Sequence, residues 1–351
     1  MVSPEYSPIF EYMKKYLLLL FNFLFSTQVA HSQNNVKQFY QEKNAEITAF
    51  AQTKDTAKLV AYYVKSLTKY DFTMLNDIDF DDSKGLEMAI STKDYASANE
   101  FLKYEISTGV VEAMFPYMMK KPGHAEYYKT KKAQQIISDY QKYHSIFKQG
   151  IHLPYFFVVS SHMNTDQYAR GLFNTHPTWI TGNAYKRFDY LDDGIKKKIM
   201  STMIQVTDSL TFAAIYDAVN DYGFFTKSKI RGGLGPLLVH LYGPGRDQVH
   251  QGVSSTHFLD SVMLKAVKEG EFEPQEYAFM KDDPNPYSLE TKSTYGSVTR
   301  GKDGYFIPNE ILDIKNIDKR RAEIYLPPLW VDALLDGFEL PEGYVQLKDE
   351  G

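Results

Sequence analysis

Cysteine is absent from all 351 residues. That excludes disulfides, thiol catalysis, thiolate metal ligands and lipid attachment through cysteine. Arginine is scarce, with 7 against 32 lysines, and tryptophan occurs twice. No Gly-x-Ser-x-Gly elbow and no His-Glu-x-x-His pair occurs, so two common routes to a nucleophile or a zinc-bound water are missing. No internal repeat or low-complexity linker stands out. The net charge of −5 argues against a general nucleic-acid binder.

The N-terminus reads as an export signal over residues 1–32. Lys14-Lys15 precede an apolar stretch from Tyr16 to Phe25, and Ala30-His31-Ser32 fits the small-x-small cleavage rule. That stretch is too short to span a bilayer comfortably. The expected mature chain therefore begins near Gln33, in the periplasm or outside the cell, with no membrane span left after signal removal. Met13 is the more natural start than Met1 for such a signal.

Tyrosine and phenylalanine number 27 and 23. They suit an aromatic ligand platform, or they reflect a coding bias toward Lys, Tyr, Phe, Ile and Asn. The excess of lysine over arginine fits the bias. Where lysine is the default, an arginine points to planar, bidentate contacts, and five of the seven lie between Arg231 and Arg321. Their target is an internal carboxylate or an anionic ligand.

The fold class expected is mainly α. Residues 33–222 form a multi-helical region, 223–335 a C-terminal helical module carrying a small β-hairpin, and 336–351 a tail. Helices are predicted over Asn35–Gln52, Thr56–Thr68, Asp94–Lys120, Ala125–Lys148 and Ile195–Ala218. Tyr155–Val159 is either a buried strand or a helix segment, and Asn174–Gly194 is loop-like. A boundary near Asp221-Tyr222-Gly223 fits, unless the two halves share a core.

The module is the most specified stretch. A glycine-rich loop, Arg231 to Pro236, leads into the apolar run Leu237 to Leu241, which Gly243-Pro244-Gly245 stops. A helix is predicted over Asp247–Lys268, its stripe made of Leu259, Val262, Met263, Ala266 and Val267, with Gly270 as a left-handed cap. Pro274 opens a second helix ending at Asp282-Asp283. Ser293–Ile307 reads as a hairpin around Gly301–Gly304, and Asp318–Glu323 as a short charged helix that Pro327-Pro328 closes off.

On these residues, Gly232 to Leu329 resembles a bacterial family catalogued as domain of unknown function 6624. The pieces are the apolar run ending in His240, the helix ending Ala266 to Glu271, Pro274 to Ala278, an acid at Asp282 or Asp283, Tyr295-Gly296, and Asp318 to Arg321 running into Leu326 to Leu329. Tyr242-Gly243 stands where many members have Ala-Asp, and Ser297 where threonine is usual. The resemblance implies positions and no chemistry.

The candidate constellation is His240 with Asp282 or Asp283, Tyr295 and Arg300 as catalytic groups, and Arg231, Arg320 and Arg321 as binding groups. Histidine shuttles protons near neutral pH, a carboxylate orients it, and Tyr and Arg hold an anionic or carbonyl group. The competing reading is a buried histidine tied to the backbone, with the arginines bracing the C-terminus. Other candidates are weaker. Asp77, Asp79, Asp81 and Asp82 fail calcium-loop spacing, since Asp82 falls at the glycine position and Met88 at the closing acid. Ser160-Ser161-His162 are sequence neighbours, which do not make a triad. His250 and His257 would lie about 10.5 Å apart along one helix, too far to share a metal.

No cofactor or metal is called for. The partner is a small molecule or a protein of unspecified kind. Two functions follow: an exported helical binding or interaction module, or alternatively an exported hydrolase-like enzyme using His240 as general acid/base with a nearby Asp and Arg residues.

Overall fold

The structure is a computed structural model that describes residues 35–77, 82–171, 190–230, 235–243, 246–282, 292–297, 299–301, 304–306 and 311–346. It is mainly α. Among the described residues the strands form two small antiparallel pairs, and no helix is long and apolar enough to cross a membrane.

The first core is built by α1 (35–53), α2 (Thr56–Lys69), α3 (Asp82–Ser91), α4 (Tyr95–Thr108), α5 (Lys131–Ser138) and α6 (Tyr140–Gln149). Helix starts are set by side chains that take up orphan backbone N–H groups. Asp55 accepts from Lys58 N at 3.1 Å and Asp94 from Ser97 N at 3.1 Å. On α2, Leu59, Tyr62, Tyr63 and Ser66 are buried, an i, i+3, i+4, i+7 face. Two predicted helices prove shorter. The one expected over Asp94–Lys120 stops at Gly109, and the one expected over Ala125–Lys148 breaks at Thr130 and Asp139. Thr130 caps α5, accepting from Ala133 N at 3.3 Å. A cap inside a polar, helix-compatible text ends a helix without disturbing its period.

The second core joins α7 (Leu153–Gly171), α8 (Asp193–Tyr222), α9 (Gly235–Leu241), the β1–β2 pair (Val249–His250 with Val253–Ser254), α10 (Ser255–Glu269) and α11 (Pro274–Asp282). The β3–β4 pair (Thr299–Gly301 with Gly304–Phe306), α12 (Ile317–Glu323) and α13 (Leu329–Asp336) follow. Tyr155–Val159 resolves as helix, with Tyr155 and Val159 buried at i, i+4 spacing. Tyr155 and Val159 of α7 and Phe212 and Ile215 of α8 pack in one cluster with Leu237, Leu259, Met263 and Tyr277. The boundary expected near residue 222 thus falls inside this core.

The helix expected over Asp247–Lys268 starts later, at Ser255. Gln251 and Gly252 take φ of 51° and 77°, the left-handed pair a two-residue hairpin turn needs. They turn Val249–Ser254 into β1 and β2, and Ser254 then caps α10 by accepting from His257 N at 3.2 Å. His250 and His257 therefore do not share a helix. Gly270 ends α10 with φ 74°, as the sequence predicts. Among the described residues of the predicted Ser293–Ile307 hairpin, the β3–β4 rungs pair, while Ser293 bridges Ile311.

The α10 stripe is fully buried at Leu259, Met263 and Val267, with Val262 partly buried against the same cluster. Leu259→Ala is expected to cost about 2–5 kcal/mol, the transfer and cavity terms together. Chemical denaturation at unchanged m-value checks it. A loss below about 0.5 kcal/mol would contradict the packing. The two cores are linked by α1. Asn44 Nδ2 donates to Tyr325 O at 2.9 Å, and the Tyr40 and Tyr325 rings stack at 5.1 Å.

Candidate functional site

His240 sits in the last turn of α9, and its side chain is 23% exposed. Its Nδ1 lies 2.8 Å from Asp166 Oδ2, on α7. Asp166 is 2% exposed. One helical turn further along α7, Arg170 Nε donates to Asp166 Oδ1 at 2.9 Å. Its Nη2 pairs with Asp208, from the facing side of α8. Gln167 Nε2 donates to Asp166 Oδ2 at 2.9 Å. The two helices bring this about by simple spacing. Residues 162, 166 and 170 recur every four positions and share a face of α7, while Asp208 and Thr211 share one on α8. His162 Nδ1 and Thr211 Oγ1, 3.3 Å apart, extend the polar seam.

The electrostatics separate the two acids. Burial pushes the Asp166 carboxyl up, but His240 and Arg170 outweigh it and hold it below its ordinary value. Asp208 is pushed above its ordinary value, first by burial and also by Asp166, with Arg170 pulling the other way. One guanidinium thus bridges two carboxylates, and the one touching the histidine is the one whose carboxyl is held below its ordinary value. His240 Nε2 makes no hydrogen bond among the described residues. A buried acceptor on Nδ1 favours the tautomer with the proton there, leaving Nε2 as the basic nitrogen.

The carboxylate partner of His240 is therefore Asp166, not Asp282. Asp282 is buried at the end of α11 and is spent on backbone. It accepts from Ser293 Oγ at 2.8 Å, Thr294 N at 2.6 Å, Tyr295 N at 3.0 Å and Ser297 N at 2.8 Å. A carboxylate wrapped by three N–H groups holds a turn and has no catalytic reach. Arg321 is fully buried and equally occupied. Its Nε donates to Pro327 O and its Nη1 to Tyr295 O, both at 2.7 Å, and its Nη2 pairs with Asp332. Arg320 donates to Thr294 O at 3.0 Å, to Asp313 O at 3.0 Å and to Leu312 O. Tyr295 contributes its backbone to both Asp282 and Arg321, and its ring lies 6.0 Å from that of Tyr277. These residues form a brace that ties 293–297 to α11, α12 and α13. Arg231, Asp283 and the Arg300 side chain lie outside the described residues, as do the side chains of Asp77 to Asp82.

Asp166, Arg170 and Asp208 are the residues that sequence reasoning missed. One signal was present: Arg170 is an arginine in a lysine-rich chain, four residues after an acid. The pairing itself spans 74 positions, and no local pattern encodes it. Comparisons with protein-family models, with curated proteins and with solved structures found no match.

Proposed function

We propose that this chain is an exported hydrolytic enzyme in which His240 is the general base and acid and Asp166 orients it. The observation that carries this reading is the 2.8 Å contact between Nδ1 and a buried carboxylate, beside an Nε2 with no hydrogen bond among the described residues. In that arrangement Nε2 takes a proton from water as the water attacks an electrophilic centre. The same nitrogen returns the proton to the leaving group. Asp166 and Arg170 remain in place and fix the ring.

A panel of chromogenic carboxyl esters, phosphoesters and glycosides tests it. The mature chain is expected to turn over at least one, and His240→Gln to abolish that turnover without lowering the melting temperature by more than a few degrees. No turnover by the wild type, together with a stability loss of about 1–3 kcal/mol in His240→Gln, would mark the histidine as a structural brace.

A binding or interaction module is the second reading. What favours it is the commitment of Asp282, Arg320 and Arg321 to bracing, which takes three of the partners first expected beside His240. Export belongs to both readings. N-terminal sequencing of protein from cell fractions is expected to show a chain starting near Gln33. An intact Met1 or Met13 in the cytoplasm would end the export proposal.

A further inference from the structure

Between α4 and α5 the chain folds into a short ribbon of tight turns. A 3₁₀ turn, Glu112–Met114, runs into one helical turn, Phe115–Met118. Met114 N donates to Val111 O at 2.9 Å, and Lys120 N to Tyr117 O at 3.1 Å. In such a ribbon every third residue falls on the same side. The inner side holds Phe115 and Met118. Phe115 is buried, its ring 5.9 Å from that of Tyr140, and Met118 packs against the first core. The outer side holds Val111, Met114, Tyr117 and Lys120. The three apolar side chains there are 51%, 46% and 69% exposed, and Lys120 is exposed beside them. Single exposed apolar residues are ordinary on a protein surface. Three on consecutive turns of one edge, closed by a lysine, form an organised edge.

We propose that this edge docks on an anionic lipid surface, with Val111, Met114 and Tyr117 entering the headgroup layer and lysines meeting the lipid phosphates. Charge chooses the partner. Residues 111–132 hold five lysines and two glutamates, in a chain whose net charge is −5. Lys121 pairs with Glu87. Lys120, Lys129, Lys131 and Lys132 are exposed and have no carboxylate partner among the described residues. Their ammonium groups remain for the phosphates of a negative surface. Size argues the same way. A stable protein interface takes about 800 Å² from each partner, more than an edge three side chains long supplies. A lipid surface needs only apolar groups that reach the acyl boundary. Tyrosine suits headgroup depth, with an apolar ring and a polar hydroxyl. Lys120 at the end of the row can keep its stem against the apolar layer while its ammonium reaches back to the phosphates. The edge belongs to the first core, so the proposal stands independently of His240.

The chain has no cysteine, so Tyr117→Cys gives one attachment point for a polarity-sensitive dye. The dye reports from the edge itself and not from the apolar Tyr16–Phe25 stretch. The full labelled chain is titrated with vesicles of phosphatidylcholine and phosphatidylglycerol. The dye is expected to brighten and to shift to shorter wavelength. Half-saturation should need at least about tenfold more lipid on phosphatidylcholine alone, since each nearby lysine adds to the attraction, and more lipid as salt rises. Adding Val111→Ser and Met114→Ser should raise it about tenfold again by removing inserted apolar area. Both residues are exposed, so the fold is expected to keep its melting temperature. A dye placed by Ser201→Cys, exposed on α8, should not respond. A dye at position 117 that stays silent on the mixed vesicles, or responds equally to phosphatidylcholine alone, would overturn the proposal. So would a response that grows with protein concentration in the absence of lipid, which would assign the edge to a second copy of the chain.

Discussion

Arg321→Ala is expected to lower folding stability by about 3–5 kcal/mol, the cost of stranding one partner of a buried ion pair. The guanidinium is fully buried and spans three acceptors: Pro327 O, Tyr295 O and the Asp332 carboxylate. Removing it leaves two carbonyls without a donor. It also leaves a carboxyl that burial already pushes up, with no cation to pull it back. Arg321→Lys should recover little of the loss. A lysine ammonium keeps the charge but cannot present the planar fork that reaches three acceptors at once. Urea denaturation of both variants measures this. A loss under about 1 kcal/mol for alanine would mean the brace is relaxed in solution, and full recovery by lysine would mean that charge alone matters.

The second large effect concerns turnover. Asp166→Asn is expected to reduce the rate of His240-dependent hydrolysis by about a hundredfold to ten-thousandfold, in line with the loss of the orienting acid in a histidine-based site. An asparagine amide can donate to Nδ1, which favours the tautomer with the proton on Nε2. The base would then be blocked. The fold should tolerate the change better than the chemistry does, because Arg170 keeps its second partner, Asp208. The expected signature is a fall in kcat with little change in KM and a melting temperature shifted by only a few degrees. A rate within about threefold of wild type would contradict an orienting role, since one misplaced tautomer costs far more than that.

Much of the fold was legible because amphipathic periods survive in the text. The α10 stripe, its Gly270 cap and the Pro274 start all stand where the sequence places them. The breaks at Thr130 and Asp139 were hidden, because a capping side chain ends a helix while the apolar spacing continues. The β1–β2 turn was hidden for a similar reason, as Gln251-Gly252 is a weak written signal for two left-handed residues in succession. For the site, His240 was legible as a polar residue closing an apolar run. Asp282, Arg320 and Arg321 were legible as polar groups in a fixed order, but most of their partners are backbone atoms, which a sequence does not distinguish from ligand atoms. Asp166 was legible only as the acid four residues before Arg170, not as a partner of His240. Its contact with His240 depends on α7 packing beside α9, and that is decided by the whole second core.

The most direct measurement is the ring-nitrogen NMR spectrum of His240 in the mature protein at a pH where the imidazole is neutral. A proton on Nδ1 and a bare Nε2 are expected, with the balance moving toward Nε2–H in Asp166→Asn. A proton on Nε2 in the wild type, or a spectrum that Asp166→Asn leaves unchanged, would contradict the assignment of His240 as a base oriented by Asp166.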